Sequence, residues 1–212
     1  MNCNILLLGC GGHFRSVLDS IKSTGKYNKI GLVDNSIVEK SYFGIEVVGT
    51  DDDLGSLKSE YDNAFITVGS VGDISVREKL FGILKKNGYN IPNIIDATAV
   101  VSGSAFLGCG VYVGKKAVIN AGSVIGDCSI INSGAIIEHD CALAEFVHAS
   151  PGAILCGDVK IGYGTHIGAG AAVKQGVTVG RNCIVGLSSA VLSDIEEDSV
   201  AYGNPCRIIR KR

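Results

Sequence analysis

Aliphatic residues recur at every sixth position through the second half of the chain. The pattern runs from Ile95 to Glu196 through seventeen hexads without an insertion, and sixteen first positions are Ile, Leu or Val, with Ala149 the exception. This period predicts a parallel β-helix in which three hexads form one coil. The first positions are expected to point into a narrow interior. The frequent second-position glycines are expected to supply corner backbone angles that other residues resist.

The same period predicts which residues stack. Residues 18 apart lie in adjacent coils, about 4.8 Å from each other as in neighbouring strands. His148 and His166 are 18 apart and are therefore expected to stack on one edge. His139 precedes His148 by nine residues, which is half a coil, so the two cannot meet within one subunit. A site that uses both histidines would lie between two subunits.

Residues 1–94 follow a different pattern, in which short apolar runs alternate with segments of helical spacing. The runs predict strands over 4–9, 29–34 and 64–69. The spaced segments predict helices over 13–23 and 73–87. The apolar residues of the second helix are Val76, Leu80, Ile83 and Leu84. This order predicts a small α/β, Rossmann-like domain over 1–94, followed by the β-helix domain over 95–212.

Glycines and acids follow the predicted strands, where ligands bind in sheets of this kind. The turn from Gly9 to His13 resembles half of a dinucleotide fingerprint, but Phe14 occupies the place of its third glycine, which argues against NAD. A glycine turn that opens a helix still presents backbone N–H groups to a phosphate. Asp34 is placed to accept hydrogen bonds from a ribose. A nucleotide or nucleotide-sugar site is the favoured hypothesis, and a tight turn without a ligand is the alternative.

Composition excludes several classes of protein. The formal net charge of −2 gives no general attraction to nucleic acid. No run approaches the roughly 20 apolar residues of a membrane span, and the first residues lack the basic start of a signal peptide. Eight scattered cysteines without a Cys-x-x-Cys pair indicate a reduced, cytoplasmic protein. The basic tail is either solvated or in contact with a phosphate-bearing ligand, through Arg207, Arg210, Lys211 and Arg212.

Titratable residues concentrate in segment 136–158 of an otherwise apolar repeat. Its centre is Glu138-His139-Asp140. Histidine is a natural general base near neutral pH, and an adjacent carboxylate raises its basicity and selects its tautomer. The alternative is a surface histidine between solubilising acids.

These motifs together resemble one family over nearly the whole chain. The sequence strings that carry the resemblance are GCGGH, VDN, NSGAIIEHD, EFVH, CGDVKIG and YGNPCR. They are similar to those of left-handed β-helix acyltransferases, and among these to sialic acid O-acetyltransferases and bacillosamine-type nucleotide-sugar N-acetyltransferases. The resemblance implies an α/β domain followed by a left-handed parallel β-helix. It also implies acetyl-coenzyme A as co-substrate, no metal, and a homotrimer with active sites between adjacent subunits.

The resemblance further implies roles for individual residues. His139 would be the catalytic base, Asp140 the acid that hydrogen-bonds it, and Gly157 the backbone N–H donor to the thioester oxygen. The implied coenzyme contacts are His148, Ala169, Gly186 and Leu187. The implied sugar or nucleotide contacts are Gly11, Gly12, His13, Asp34, Asn35, Gly69 and Asn132. His166 departs from the family pattern, and either lines the coenzyme channel or has no role.

The implied reaction is direct acetyl transfer to a nucleotide-activated amino sugar. N-acetylation of a UDP-linked 4-amino sugar is favoured over O-acetylation of a sialic acid or a related sugar. A β-helix carbonic anhydrase with zinc between subunits is one rival, although the histidine spacings do not match that family. A binding-only scaffold of a sugar pathway is the other, against which the intact His139 and Asp140 argue.

Overall fold

The first part of the chain is an α/β layer in the computed structural model, which describes residues 3–36 and 39–212. Its strands are β1 (Asn4–Leu8), β2 (Lys29–Val33), β3 (Ser41–Tyr42), β4 (Ile45–Gly49) and β5 (Asn63–Ile66). Its helices are α1 (Gly12–Thr24), α2 (Leu54–Leu57) and α3 (Ser75–Lys86), with a 3-10 turn at Asp51–Asp53. The sheet order is β3-β4-β2-β1-β5, and only the β3–β4 pair is antiparallel.

The predicted strands and helices of this part are confirmed to within a few residues, but β3 and β4 were not predicted. The apolar side assigned to α3 was partly wrong. Val76 is 52% exposed, whereas Arg77 is buried on the same side as Leu80 and Leu84. The buried side of α3 meets backbone carbonyls as well as apolar side chains, so a guanidinium takes the place expected for an aliphatic residue. No helix among the described residues is long and apolar enough to span a bilayer.

The hexads form a left-handed parallel β-helix, and each contributes one two-residue strand. The strands are β6 (Ile94–Ile95), β7 (Val100–Val101), β8 (Phe106–Leu107), β9 (Tyr112–Val113), β10 (Val118–Ile119), β11 (Val124–Ile125), β12 (Ile130–Ile131), β13 (Ile136–Ile137), β14 (Ala142–Leu143), β15 (His148–Ala149), β16 (Ile154–Leu155), β17 (Lys160–Ile161), β18 (His166–Ile167), β19 (Ala172–Val173), β20 (Thr178–Val179), β21 (Ile184–Val185) and β22 (Ala190–Val191). Each pairs with strands 18 residues away, which gives three parallel sheets. The chain ends in an antiparallel hairpin of β23 (Ser199–Tyr202) and β24 (Arg207–Lys211), and the basic tail is therefore an exposed edge strand.

The inward column of first-position residues is confirmed. From Val113 to Val191 every first position is at most 3% exposed. Ile95 is 37% exposed because it belongs to the first coil, which has a neighbouring coil on one side only. The thiols of Cys141 and Cys183 also lie inside, as small apolar residues of this size do.

The reason predicted for the second-position glycines was wrong. In every hexad from Leu107 to Ala190 the left-handed corner residue is the fourth, as at Asp140 (φ 61°). The second-position glycines are required by close contact between coils. A Cβ on Gly126 would lie 2.5 Å from the backbone of Ala144, and one on Gly162 would lie 2.4 Å from that of Arg181.

In the described part of the chain, one face of the β-helix is covered by the α/β layer, and the other two are not. The sheet with β9, β12, β15 and β18 is covered by the α/β layer, where Phe14 and Val17 of α1 pack with Tyr112 and Ile130. Ser20 of α1 also donates a hydrogen bond to the buried carboxylate of Asp96 at 2.6 Å. The sheet with β7, β10, β13, β16, β19 and β22, which we call the aliphatic sheet, has no such cover. Its outward residues are Val100, Val118, Ile136, Ile154, Ala172 and Ala190, all exposed or half-buried.

Candidate active site

The predicted base lies in the open at one edge of the aliphatic sheet. The corners 138–141 and 156–159 form this edge, which we call the His139 edge. The ring of His139 donates a hydrogen bond from Nδ1 to Oδ2 of Asp140 at 2.9 Å. That bond raises the pKa of His139 above its ordinary value, and the nearby Glu138 and Asp158 charges act in the same direction. Nε2 is left free to accept a proton.

Gly157 lies directly beside the imidazole, one coil further on. A Cβ built on it would lie 2.6 Å from both Nε2 and Cε1 of His139. Only a residue without a side chain therefore permits this ring position. Within the described residues the Gly157 amide donates to no other group, so its N–H can serve an incoming oxygen.

Gly157→Ala is expected to lower acetyl-transfer activity by about 10–100-fold, because the new methyl displaces His139 from its hydrogen bond with Asp140. The exposed ring can move away, so the unfolding temperature should change little. Gly103→Ala is the matched control. Gly103 occupies the same corner position 54 residues, or three coils, earlier, and nothing lies within 4 Å of its added Cβ. Steady-state kinetics and thermal unfolding of the two variants check this, and equal activity in both would contradict it.

A second group of predicted residues lines a cavity of about 480 Å³ at the other edge of the aliphatic sheet. Its walls include the turn after β1 (Gly12 and His13), the loop after β5 (Gly69 and Ser70) and the β-helix corner with Asn132. The corners 132–135, 150–153, 168–171 and 186–189 share this edge, which we call the cavity edge. The cavity therefore lies beyond the carboxyl ends of β1 and β5, where ligands bind in sheets of this kind.

His148 joins the two parts of the chain inside this cavity wall. Its Nδ1 donates to the Ser70 carbonyl at 2.7 Å, and its Nε2 accepts from Nδ2 of Asn132 at 3.1 Å. The carbonyl can only accept, which assigns the proton to Nδ1. The predicted stack is confirmed, since the rings of His148 and His166 lie 4.9 Å apart at 78°. His166 is buried, and its Nε2 shares a hydrogen bond with Ser150 at 3.3 Å.

His13 faces the same cavity. Its ring packs edge-on against Tyr112 at 5.0 Å, and its Nε2 has no hydrogen-bond partner among the described residues. Burial lowers the pKa of His13 to about 3 and that of His148 to about 4. Both rings are neutral at physiological pH and can offer or accept a hydrogen bond without charge.

These two histidines predict acid-sensitive folding. Both have a lower pKa in the folded chain than the value of about 6.5 in an unfolded one, so the unfolded state binds more protons as the pH falls below 6.5. The free energy of unfolding should therefore be greatest above pH 6.5 and fall by about 2 kcal/mol per histidine at pH 5. Urea titrations at pH 7.5 and pH 5 measure the loss. His148→Gln should reduce the loss by about 2 kcal/mol, whereas the exposed His139→Gln should leave it intact; an equal loss in all three proteins would contradict this assignment.

The structure places Gly11, Asp34 and Asn35 outside this cavity wall. Asp34 uses its carboxylate within its own loop, accepting from the Cys10 amide at 2.9 Å and from the amide and hydroxyl of Ser36. Those hydrogen bonds outweigh burial and keep the pKa of Asp34 low. Asn35 pairs with Asp51 through both its amide atoms. Asp34 and Asn35 therefore shape the strand ends beside the cavity.

The predicted coenzyme residues lie along the cavity edge. The amide of Ser188 donates to the Ala169 carbonyl at 2.8 Å, which stacks the Ala169 corner on the Gly186-Leu187 corner. Leu187 is 76% exposed. A Cβ on Gly168 would lie 2.6 Å from Gly186 and Leu187, so the two corners are in direct backbone contact. These corners lie one and two coils beyond the 150–153 corner, which follows β15 with His148.

The sequence patterns assigned no role to two residues near the cavity, Ser70 and Arg77. The spacing of the helix residues indicates that Arg77 is buried, since positions 77, 80 and 84 share one helix side. No three His, Cys, Asp or Glu residues in the described parts of the chain lie together as a metal-binding group.

Comparison with known proteins shows the family of this chain. Residues 4–84 match the PglD N-terminal domain family. The acetyltransferase domain of PglB from Neisseria gonorrhoeae FA1090, solved with acetyl coenzyme A, is 35% identical over 99% of this chain and 100% of that one, with a TM-score of 0.93. The chain belongs to the hexapeptide-repeat sugar N-acetyltransferase family.

Two other solved structures extend the comparison. A histidine-to-asparagine mutant of perosamine N-acetyltransferase from Caulobacter crescentus, in complex with CoA and GDP-perosamine, is 35% identical over 98% of this chain and 97% of its own, with a TM-score of 0.92. WeeI from Acinetobacter baumannii AYE shares the fold at 22% identity over 97% of this chain and 99% of its own, with a TM-score of 0.89. This hexapeptide-repeat acetyltransferase thus matches its relatives over both of its parts.

Proposed function

We propose that this acetyltransferase transfers the acetyl group of acetyl-CoA to the amine of a nucleotide-linked amino sugar. One observation carries the proposal: the base and the cavity lie on opposite edges of one exposed aliphatic sheet. His139 and Gly157 occupy one edge, and Asn132, Ala169 and Leu187 the other. A relative of this fold binds CoA and GDP-perosamine, which supports the same two ligand classes here.

A homotrimer brings these half-sites together. If the aliphatic sheets of three subunits surround one axis, the His139 edge of each subunit meets the cavity edge of the next. Exposed Val100 and Ile154, with half-buried Val118 and Ile136, supply an apolar surface for that contact. This arrangement explains why His139 makes no contact with His148 within one subunit.

The chemistry follows from the groups at the two edges. The amine of the sugar attacks the thioester carbonyl carbon, and Nε2 of His139 takes the proton of that amine. The Gly157 N–H stabilises the oxyanion of the tetrahedral intermediate. The carbon–sulfur bond then breaks, and coenzyme A leaves as a thiolate, which takes up the proton held on Nε2 of His139. Asp140 keeps the proton of the imidazole on Nδ1, so that Nε2 is the basic nitrogen.

Neutral His13 and the glycine turn suit the acceptor nucleotide. Gly12 opens α1, where helix N–H groups favour phosphate oxygens. A UDP-linked 4-amino sugar is the preferred acceptor of this proposal. Eight free cysteines support a reducing, cytoplasmic compartment for the reaction.

An acceptor panel tests the function. The purified protein is incubated with acetyl-CoA and, in turn, UDP- and GDP-linked amino sugars, their hydroxy counterparts and sialic acids, and free thiol is measured. Thiol release with a nucleotide amino sugar, together with the mass of its N-acetyl product, is the expected result. Turnover with sialic acids alone would replace N-acetylation by O-acetylation, and no turnover with any acceptor would overturn the proposal.

A further inference from the structure

Arg77 is the largest fully buried side chain in the described part of the protein, and it carries a charge. Its side chain is 1% exposed, and none of the ion pairs among the described residues involves it. Its guanidinium donates to three backbone carbonyls, those of Ile66, Val68 and Cys128. A buried cation without a counter-charge is costly, so its presence points to a role that an apolar side chain could not fill.

Those carbonyls belong to the two segments that hold His148. Val68 lies two residues before Ser70, whose carbonyl accepts the Nδ1 proton of His148. Cys128 is the corner residue that leads into β12, which is followed by Asn132, whose amide donates to Nε2 of the same ring. One rigid, planar group therefore ties the loop after β5 to the β-helix coil. In doing so it sets the separation between the two hydrogen-bond partners of His148.

We propose that Arg77 is a positioning residue, whose guanidinium sets the spacing between the Ser70 carbonyl and the Asn132 amide and so holds His148 in one tautomer in the cavity wall. Arg77 is not among the residues that line the cavity, so it acts through His148 and does not touch the ligand. The Nδ1–H tautomer leaves Asn132 as the donor to the ring. This fixes the amide of Asn132, whose Oδ1 also accepts from the Ser133 amide at 2.8 Å.

The charge of Arg77 has a second consequence. The groups that surround His148 are His13 from α1, Arg77 from α3, His166 from β18, the Ser70 carbonyl and the Asn132 amide. Burial lowers the pKa of His148 most, and the Arg77 and His166 charges act in the same direction. Arg77 thus opposes protonation of the ring that it also orients.

Three variants separate positioning from general support of the fold. Arg77→Met removes the charge and the three hydrogen bonds, and Arg77→Lys keeps the charge without the planar fork. Lys79→Met is the matched control, because Lys79 lies on the same helix with its side chain 65% exposed. Circular dichroism and thermal unfolding select the variants that fold.

Long-range ¹H–¹⁵N spectra of the histidine rings give the decisive measurement. In the wild type and in Lys79→Met, His148 should show only the Nδ1–H tautomer at pH 7.5. In Arg77→Met it should show both tautomers and take up a proton at higher pH. Arg77→Lys should also mix the tautomers while still resisting protonation, and it serves alone if the methionine variant does not fold. A wild-type histidine spectrum in a folded Arg77 variant would overturn the proposal.

Steady-state kinetics connect the position of His148 with the proposed function, on which the expected effect on catalysis rests. Arg77→Met should raise the KM for the nucleotide amino sugar by about tenfold and change kcat much less. A lower kcat with an unchanged KM, together with an unaltered His148 spectrum, would indicate mere loss of folded protein and contradict positioning. If the wild type acetylates no nucleotide amino sugar, the proposed function fails, and the spectra still decide the role of Arg77.

Discussion

Replacing His139 by alanine is expected to reduce kcat for acetyl transfer by about 10²–10⁴-fold, because the amine then loses its general base. The side chain is 55% exposed, and its one side-chain hydrogen bond is to Asp140, so the unfolding temperature should not fall. Thiol release from acetyl-CoA at saturating acceptor measures the effect. Activity within a few-fold of the wild type would contradict the mechanism.

Asp140→Asn is the informative companion variant. In the wild type the hydrogen bond with Asp140 raises the pKa of His139, so activity should rise with pH as the imidazole loses its proton. Removing the carboxylate charge lowers that pKa, and the ascending limb of the pH–rate profile should move to lower pH. The maximal rate should fall less than in His139→Ala. A shift to higher pH would have the wrong sign for a carboxylate that stabilises the imidazolium.

Mixing two inactive variants should restore activity if sites are shared between subunits. His139→Ala and His148→Ala protomers are each expected to retain at most about 1% of wild-type activity. When the two are co-expressed at equal levels and assemble randomly into trimers, about a quarter of the sites combine an intact His139 with an intact His148. The specific activity should therefore rise to about 25% of the wild type.

The control for this experiment is a physical mixture of separately purified variants, assayed before subunits can exchange. A double variant that carries both substitutions in one chain should stay inactive when co-expressed with either single variant, because each of these mixtures lacks one of the two histidines in every subunit. Native mass spectrometry reports the subunit number. If the co-expressed single variants remain inactive as trimers, both residues act within one subunit and the proposed arrangement is wrong.

Much of the fold could be predicted from the six-residue period of the sequence. A six-residue repeat can bury its aliphatic residues only by coiling, so the register, the inward column and the stack of His148 on His166 followed directly. The period also separated His139 from His148. It did not reveal why the second-position glycines are needed, because that depends on the distance between coils, as at Gly162 beside Arg181.

The candidate site was predictable where a residue and its partner are close in sequence. His139 and Asp140 are adjacent, and their hydrogen bond is what the string Glu-His-Asp suggested. Asp34 was predicted to be available for a ribose, but its carboxylate is already bonded to Cys10 and Ser36. Residue type alone does not show that local backbone amides compete with a ligand for the Asp34 carboxylate.

By itself, the sequence determined the β-helix, the α/β layer before it and the pairing of His139 with the Asp140 carboxylate. These depend on periodicity and on near neighbours, which a linear pattern records. The tertiary structure alone decided that His148 bonds to Ser70, 78 residues away, and that Arg77 is buried between the two parts of the chain. Such contacts depend on how the α/β layer packs on one face of the prism. That packing leaves the aliphatic sheet exposed, with the base on one side of it and the cavity on the other.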